Sequence, residues 1–354
     1  MRTLAHVRAP EERYATLLSY ILRRAGQTAV VLFGVSLIVF SLIHLTPGDP
    51  VDALYAGENV TAAQKDQYRK SLGLDRPLPA QYAEFAGGAV QGDLGTSVRR
   101  DVPVWSELAA TLPATVELTL AALLVAVLIA VPVAVVSAQR QGSFWDRGGS
   151  AAALFGISMP SFWLGIMLIL LFAVTWNVLP SSGRLDLGTG LRQMTGLVTL
   201  DALLQGNMAA LRSALAHLVM PAVALGAAIA ATLVRVLRSG LLEVKGQDFV
   251  EALHARGLSS HRVIRHMLRN ALPATVTVMG VRIGTLLGGA IVVETVFSWP
   301  GVGRLIIEAI RARDYPVVQG SVLVLAVMFT LVNLVTDLIH AWLDPRVKRG
   351  RAAA

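Results

Sequence analysis

The densest run of chemically capable side chains lies between residues 238 and 273, RSGLLEVKGQDFVEALHARGLSSHRVIRHMLRNALP. Asp248 and Glu251 stand three apart, the spacing at which an N-cap residue and a later Glu satisfy each other's free backbone N–H groups. Phe249, Leu253 and Val250 supply an apolar stripe, and Gly257 falls where a left-handed residue ends a helix. Ser259 or Ser260 then caps a second helix, with Val263, Ile264, Met267 and Leu268 apolar at three- and four-residue spacing. The chemistry predicted here is docking: two short amphipathic helices that meet near a glycine and need a partner to bury their apolar stripe. His254, His261 and His266 do not share one helical face, so no metal site is predicted, because metal ligands must converge.

Other polar residues stand in apolar surroundings. Arg282 lies nine residues past Pro273, about 13 Å along a helix at a rise of ~1.5 Å per residue. A charge at that depth should face a partner or water rather than lipid. Counted back from Leu343, Asp337 lies about 9 Å deep and Asn333 about 15 Å. An intramembrane group of Arg282, Asp337 and Asn333 and a role lining a solute pathway are both open. Gly280, Gly284 and Gly288 form two overlapping small-xxx-small units that admit close helix approach; the facing helix is either in this chain or in a partner. Glu117 and Glu294 fall near helix ends and are read as solvated. No catalytic residue is assigned: Ser158 lacks a nucleophile elbow, no HExxH is present, and no GxxxxGK[ST] phosphate loop occurs.

The elements that must position these residues are membrane helices. The chain has 354 residues, 54% apolar with 31 glycines besides, 15% charged and a mean hydropathy of +0.60. Soluble domains carry about 25% charged residues, so an ordinary soluble enzyme and a disordered chain are excluded. The absence of cysteine excludes disulfides and thiolate chemistry. Six apolar runs are long enough to span a bilayer: Ala25 to Ile43, Leu118 to Ser137, about Ala151 to Trp176, a run between Arg212 and Arg235, about Pro273 to Phe297, and Tyr315 to His340. The first reads as a retained helix rather than a cleaved signal. With both termini inside, the cytosolic segments hold 18 of the 31 basic residues, which sets the orientation and assigns the net charge of +8 to the inner membrane face rather than to nucleic acid.

The predicted fold is an all-α membrane protein of six transmembrane helices. Its parts are a cytosolic segment (1–24), a first helix (25–45), an extracytoplasmic insert (46–113), a helical core (114–343) holding the cytosolic loop 239–272 between the fourth and fifth helices, and a cytosolic tail (344–354).

The 248–277 segment resembles the coupling loop of inner-membrane permease subunits of binding-protein-dependent ABC importers. A Glu-Ala-Ala, three residues, Gly pattern is matched by Glu251-Ala252-Leu253 and Gly257, with Leu in place of the third residue. The chain is similar more specifically to the dipeptide, oligopeptide and nickel permease branch. The matching pieces are TPGDP (46–50), GDLGTS (92–97), LPATVEL (112–118), GISMPSFWLG (156–165), LPSSG (179–183), HLVMPAVALG (217–226), ETVFSWPGVGRL (294–305), RDYPVVQG (313–320) and LDPRVK (343–348). The resemblance implies a subunit of the bacterial cytoplasmic membrane that pairs with a second homologous permease. It also implies two cytosolic ATPase subunits that use ATP and Mg, with no cofactor on this chain, and an extracytoplasmic solute-binding protein that delivers a short peptide or similar polar solute. Asp248, Glu251, Ala252, Arg256, Gly257 and Leu258 would then contact the ATPase, while the glycines 280, 284 and 288 would serve helix packing or gating. A nickel-chelate or glutathione importer permease shares these motifs. A stand-alone secondary transporter is the rival from another class, and it would need more ion-coupling groups within the membrane than Arg282 and Asp337.

Overall fold

The computed structural model describes residues 26–41, 61–71 and 75–343. Every element in them is helical; the one extended pairing among the described residues is a bridge between Thr96 and Pro103. Helix α1 is Gly26–Ser41, α2 Ala62–Ser71 and α3 Leu78–Val90. The long helix α4 covers Val104–Gln139. Next come α5 (Phe144–Ser158), and α6 (Ser161–Leu168) continuing as a π-helix over Ile169–Thr175. Then follow α7 (Val198–Leu204), α8 (Met208–Lys245), α9 (Asp248–Ala255), α10 (Ser260–Val296), α11 (Val302–Ala312) and α12 (Tyr315–Leu343).

Among the described residues, three helices are long and apolar enough to cross a membrane: α4, α8 and α12 over Tyr315–Thr336. Two bent pairs bring the number to five, and α1 is apolar but shorter. Two expected spans therefore differ in shape from straight rods. The expected third span is split between α5 and α6, which meet at 107°. The cause is Pro160, which pushes the residue before it out of the helical region; Met159 is extended at φ −81°, ψ 128°. The expected fifth span begins earlier than its apolar run, at Ser260, and passes through Pro273 before bending by 54° between Leu286 and Gly288. The second short helix expected in the 239–272 loop is thus the first turns of α10. Likewise α4 starts at Val104, inside the expected 46–113 insert, and runs through Pro113.

The core has three parts. In the middle, alanines of α4 pack against α8: Ala114, Ala122, Ala126 and Ala130 are all buried with Ala222, Leu225 and Ile229. The contact is close enough that a side chain at Gly226 would sit 2.5 Å from the Ala122 carbonyl oxygen. At one end, Ala134, Ala138, Leu237 and Leu241 join Val250, Val263 and Met267. At that end Arg238 on α8 also grips Asp146 of α5 through two hydrogen bonds of 2.6 and 2.8 Å. At the opposite end α11 lays Val302, Leu305, Ile306 and Ala309 over Val104, Leu108 and Val317. Helix α1 is held from the side by α3, where Tyr82 shares a 2.8 Å hydrogen bond with Ser36 and meets Phe33 and Phe40 edge-on.

Candidate functional site

Helix α9 is the first of two places where the motifs gather. Its N-cap is Gln247, so Asp248 is the first helical residue and no side chain caps the end; the expected capping box is not made. Its C-terminus follows the expectation for Gly257, which sits at φ +72°. The Gly257 N–H donates to the His254 carbonyl at 2.9 Å and the Leu258 N–H to Leu253 at 3.2 Å, the paired bonds of a helix closed by a left-handed residue. Val250 is buried, with Phe249, Leu253 and Leu258 packed beside it on the chain's own core. The apolar stripe thus needs no partner, contrary to expectation, because α4, α8 and α10 supply the wall. What α9 leaves open is its polar side: Asp248, Glu251, Ala252, Arg256 and Gly257 are exposed, as are His254, His261 and His266. Two residues, Leu258 and Ser259, separate the Gly257 elbow from α10.

Along α10, Gly280 and Gly284 touch α12 of the same chain. A side-chain carbon at 280 would lie 1.7 Å from Thr336 Cγ2, and one at 284 would lie 2.2 Å from Phe329 Cε2. A side-chain carbon at Gly288 would meet nothing within 4 Å among the described residues, and the glycine is exposed. Arg282 is exposed and makes no ion pair among the described residues. Asn333 is half-buried on α12. The side chain of Asp337, and with it the expected Arg282–Asp337 pair, lies outside the described residues.

The second place lies at the opposite end of the bundle, where two carboxylates expected to be solvated are enclosed. Glu117 and Glu294 are not solvated: both are buried, Glu294 completely. The reason is that the segments 176–207 and 297–314 fold back over the helix ends. Glu294 accepts hydrogen bonds from the Thr115 hydroxyl at 2.7 Å, the Arg304 N–H at 3.1 Å and the Gly303 N–H. Thr115 in turn accepts from the Val302 N–H at 2.9 Å. These are the first three N–H groups of α11, whose N-cap Gly301 has no side chain to offer. A carboxylate from α10 and a hydroxyl from α4 therefore cap α11 from outside, matching its positive dipole end. Only glycine fits around them, since a side chain at 301 would meet the Glu294 carboxylate at 2.3 Å and one at 303 the Ile291 Cα at 2.4 Å. Trp299 completes the joint by donating to the Ala114 carbonyl at 2.9 Å.

The neighbouring carboxylate, Glu117, pairs with Arg184 and accepts from the backbone N–H and hydroxyl of Thr199 at 2.7 and 2.6 Å. Arg184 lies 5.4 Å over the Trp299 ring. Asp314, also buried, accepts from the Ser97 hydroxyl at 2.5 Å and from the N–H groups of Val98 and Arg99. Pieces from GDLGTS, LPATVEL, ETVFSWPGVGRL and RDYPVVQG thereby meet at one end of the bundle. A legible clue was available in 294–303, where a carboxylate is followed by Trp, Pro and a glycine at the N-cap position of α11, where Ser, Thr, Asp or Asn would normally stand.

At the same end Asp201, fully buried, organises the 192–207 segment. It accepts from the Thr195 hydroxyl at 2.7 Å and from the N–H groups of Met194, Thr195 and Gly196. Burial pushes its carboxyl upward, but these four bonds outweigh burial and hold it below the usual carboxylate value. A depressed folded pKa contributes stability that is present above the unfolded value and lost as pH falls through the folded one. Protection of the 194–206 amides, taken relative to the intrinsic exchange rate at each pH, should therefore fall when pH drops below the ordinary carboxylate range, with Asp201→Asn already weakly protected at neutral pH. Equal exchange in both proteins at neutral pH contradicts this.

A family model described as binding-protein-dependent transport system inner membrane component matches residues 130–349. A second, for the N-terminal part of such membrane components, matches residues 17–119. The dipeptide transport system permease protein DppB of Escherichia coli K12 is 42% identical over 339 residues, covering 95% of this chain and 100% of that protein. The di/tripeptide transport system permease protein DppB of Pseudomonas aeruginosa UCBPP-PA14 is 43% identical over 336 residues, covering 95% and 100%. Among solved structures, an inward-facing MetNI methionine ABC transporter aligns at 21% identity and a TM-score of 0.46, covering 65% of this chain and 93% of that chain.

Proposed function

The chain belongs to the binding-protein-dependent transport system inner membrane component family, and on that premise we propose that it is the permease subunit of an ATP-driven importer of short peptides. The observation that carries the reading is α9, whose rigid, glycine-closed end presents Asp248, Glu251 and Arg256 outward while its apolar side is anchored in the bundle. A charged face on a well-packed short helix suits a partner that docks and pushes. The partners are two cytosolic ATPases that consume ATP and Mg, a second homologous permease, and an extracytoplasmic binding protein that delivers the peptide. The substrate class rests on the relatives named above, whose names refer to dipeptides and tripeptides.

In this reading the chain crosses the cytoplasmic membrane six times, with α1, α4, α5 joined to α6, α8, α10 and α12 as spans, and with both termini and α9 in the cytosol. The end built around Glu294 and Asp314 then faces outward. ATPase closure moves α9, and Gly257 passes that displacement through Leu258 and Ser259 to α10. The inner part of α10 is seated on α12 through Gly280 and Gly284, and its outer part is fixed to α11 by Glu294. Gly288, at the bend and without a packing neighbour among the described residues, is the place where the two parts flex. Arg282, exposed on this helix, faces the solute path or the second permease rather than lipid. Gly288→Ala should slow uptake several-fold, by roughly the helix-propensity difference of ~1 kcal/mol, without lowering thermal stability; undiminished uptake refutes the hinge.

The function is tested in proteoliposomes that hold all four membrane and ATPase subunits, with ATP inside the lumen reached by the ATPases and binding protein on the opposite side. Labelled dipeptide should accumulate only with both present, and no accumulation from a complete complex refutes the substrate class. Because the chain has no cysteine, single cysteines at Arg256 and Leu187 report orientation directly. An impermeant maleimide should reach the first only from the cytosolic side and the second only from the other.

A further inference from the structure

A cleft of about 430 Å³ opens between the turn at 97–101, the first turn of α4, α11 and the joint between α11 and α12. It is lined by charge: Arg99, Arg100, Glu107, Glu308, Arg311 and Asp314. Their states differ in a telling way. Asp314 is used up by the 97–99 turn, and Glu308 by Arg304 at 2.7 Å. Arg99 and Arg311 are exposed and form no ion pair among the described residues. Glu107 is the exception on the acidic side. Its side chain is only 7% exposed, and its Oε1 is buried with no hydrogen-bond partner among the described residues. The other oxygen meets Arg100 at 3.2 Å, and the same guanidinium, half exposed, reaches toward Glu308 at 3.6 Å.

A buried carboxylate oxygen left without a donor is costly, and groups of this kind in native structures call for an explanation. Here the missing donor has a place to arrive from, because Glu107 lines an open cleft and Arg100 covers it by long, weak contacts that a better donor would displace. The same lining holds two guanidinium groups, Arg99 and Arg311, without anionic partners among the described residues, and their forked geometry suits a carboxylate. We propose that this cleft is a binding site for a small zwitterion, with Glu107 receiving an ammonium group and Arg99 and Arg311 a carboxylate. The inference rests on the peptide reading above, and it makes the ligand a short peptide with free termini, held at the outward end of the permease itself rather than only on the binding protein. The volume is of the size that takes small molecules.

The test uses the assembled permease–ATPase complex in nanodiscs, without binding protein, titrated with glycylglycine. Glu107→Gln should weaken binding roughly tenfold or more, the effect of losing a hydrogen bond between charged groups, and N-acetyl-glycylglycine should bind wild type no better than glycylglycine binds the variant. Arg311→Gln, an exposed change that leaves the fold intact, should weaken glycylglycine but leave glycylglycine amide unaffected. Equal affinities for glycylglycine in wild type and both variants, or no saturable binding at all by a complex that transports dipeptide, overturns the cleft and leaves the importer standing. Binding that responds as expected in a complex that takes up no dipeptide overturns the importer's substrate and keeps the cleft.

Discussion

Replacing Glu294 with alanine lowers the stability of the purified permease complex by on the order of 3 kcal/mol, read as a fall in unfolding temperature, and abolishes uptake. The magnitude follows from what is stranded. Two N–H donors of α11 and the Thr115 hydroxyl lose their acceptor in a site fully closed to water, and each unmet buried donor costs about 1–3 kcal/mol. Glu294→Gln keeps one carbonyl oxygen but turns an amide NH₂ toward other donors, so it falls between wild type and alanine. If alanine and glutamine variants lose the same small amount, under about 1 kcal/mol, the carboxylate is not what holds α11. A matching loss is expected in Thr115→Val, which keeps the shape and removes both bonds; because the two residues share one network, the double variant should lose less than the sum.

The second large effect is expected at the elbow. Gly257 is held at φ +72°, a region closed to proline, whose ring fixes φ near −65°. Gly257→Pro also removes the N–H that bonds to His254. Transport and ligand-stimulated ATP turnover should fall at least tenfold while membrane insertion stays intact, because Ala134, Leu237 and Leu241 still form the underlying core. Gly257→Ala, strained by about 1 kcal/mol at positive φ, should give a partial loss. Charge reversal by Glu251→Lys tests the face separately: it leaves the elbow alone and should weaken ATPase association. Undiminished ATP turnover in both Gly257→Pro and Glu251→Lys removes α9 from the coupling path.

How much of this could be read from the residues depends on what kind of force made each feature. Gly257 was legible because a left-handed turn has a local signature, and the apolar runs were legible because bilayer thickness sets their length. The split of the third span was signalled by Pro160, yet an unbroken apolar run masked it, since hydropathy does not record direction. The capping role of Glu294 was not legible, because Thr115 lies 179 residues away and nothing local brings the two together. Depth was misjudged for the same reason: a position near a helix end predicts water only if no other segment covers it, and here the 297–314 segment does. The apolar stripe of α9 looked unpartnered because its wall comes from α4, α8 and α10. Arg282, Asn333 and the glycines were found as residues, but which helix each one faces is a tertiary fact that spacing alone does not carry.

The alanines of α4 have a geometric consequence. Ala122, Ala126, Ala130, Ala134 and Ala138 recur every four residues, all within 3% of complete burial. Four residues turn a helix about 40° beyond a full revolution, so from first to last this track creeps about 160° around the rod. A partner that stays on it must wind around α4 in a right-handed sense, the opposite of the seven-residue coil. The outward-facing residues keep the same step: Leu120, Leu124, Leu128 and Val136 are all exposed. The oily flank of α4 therefore spirals like the stripe on a barber's pole, and a lipid chain lying along the bilayer normal would touch a different face of the helix at each depth.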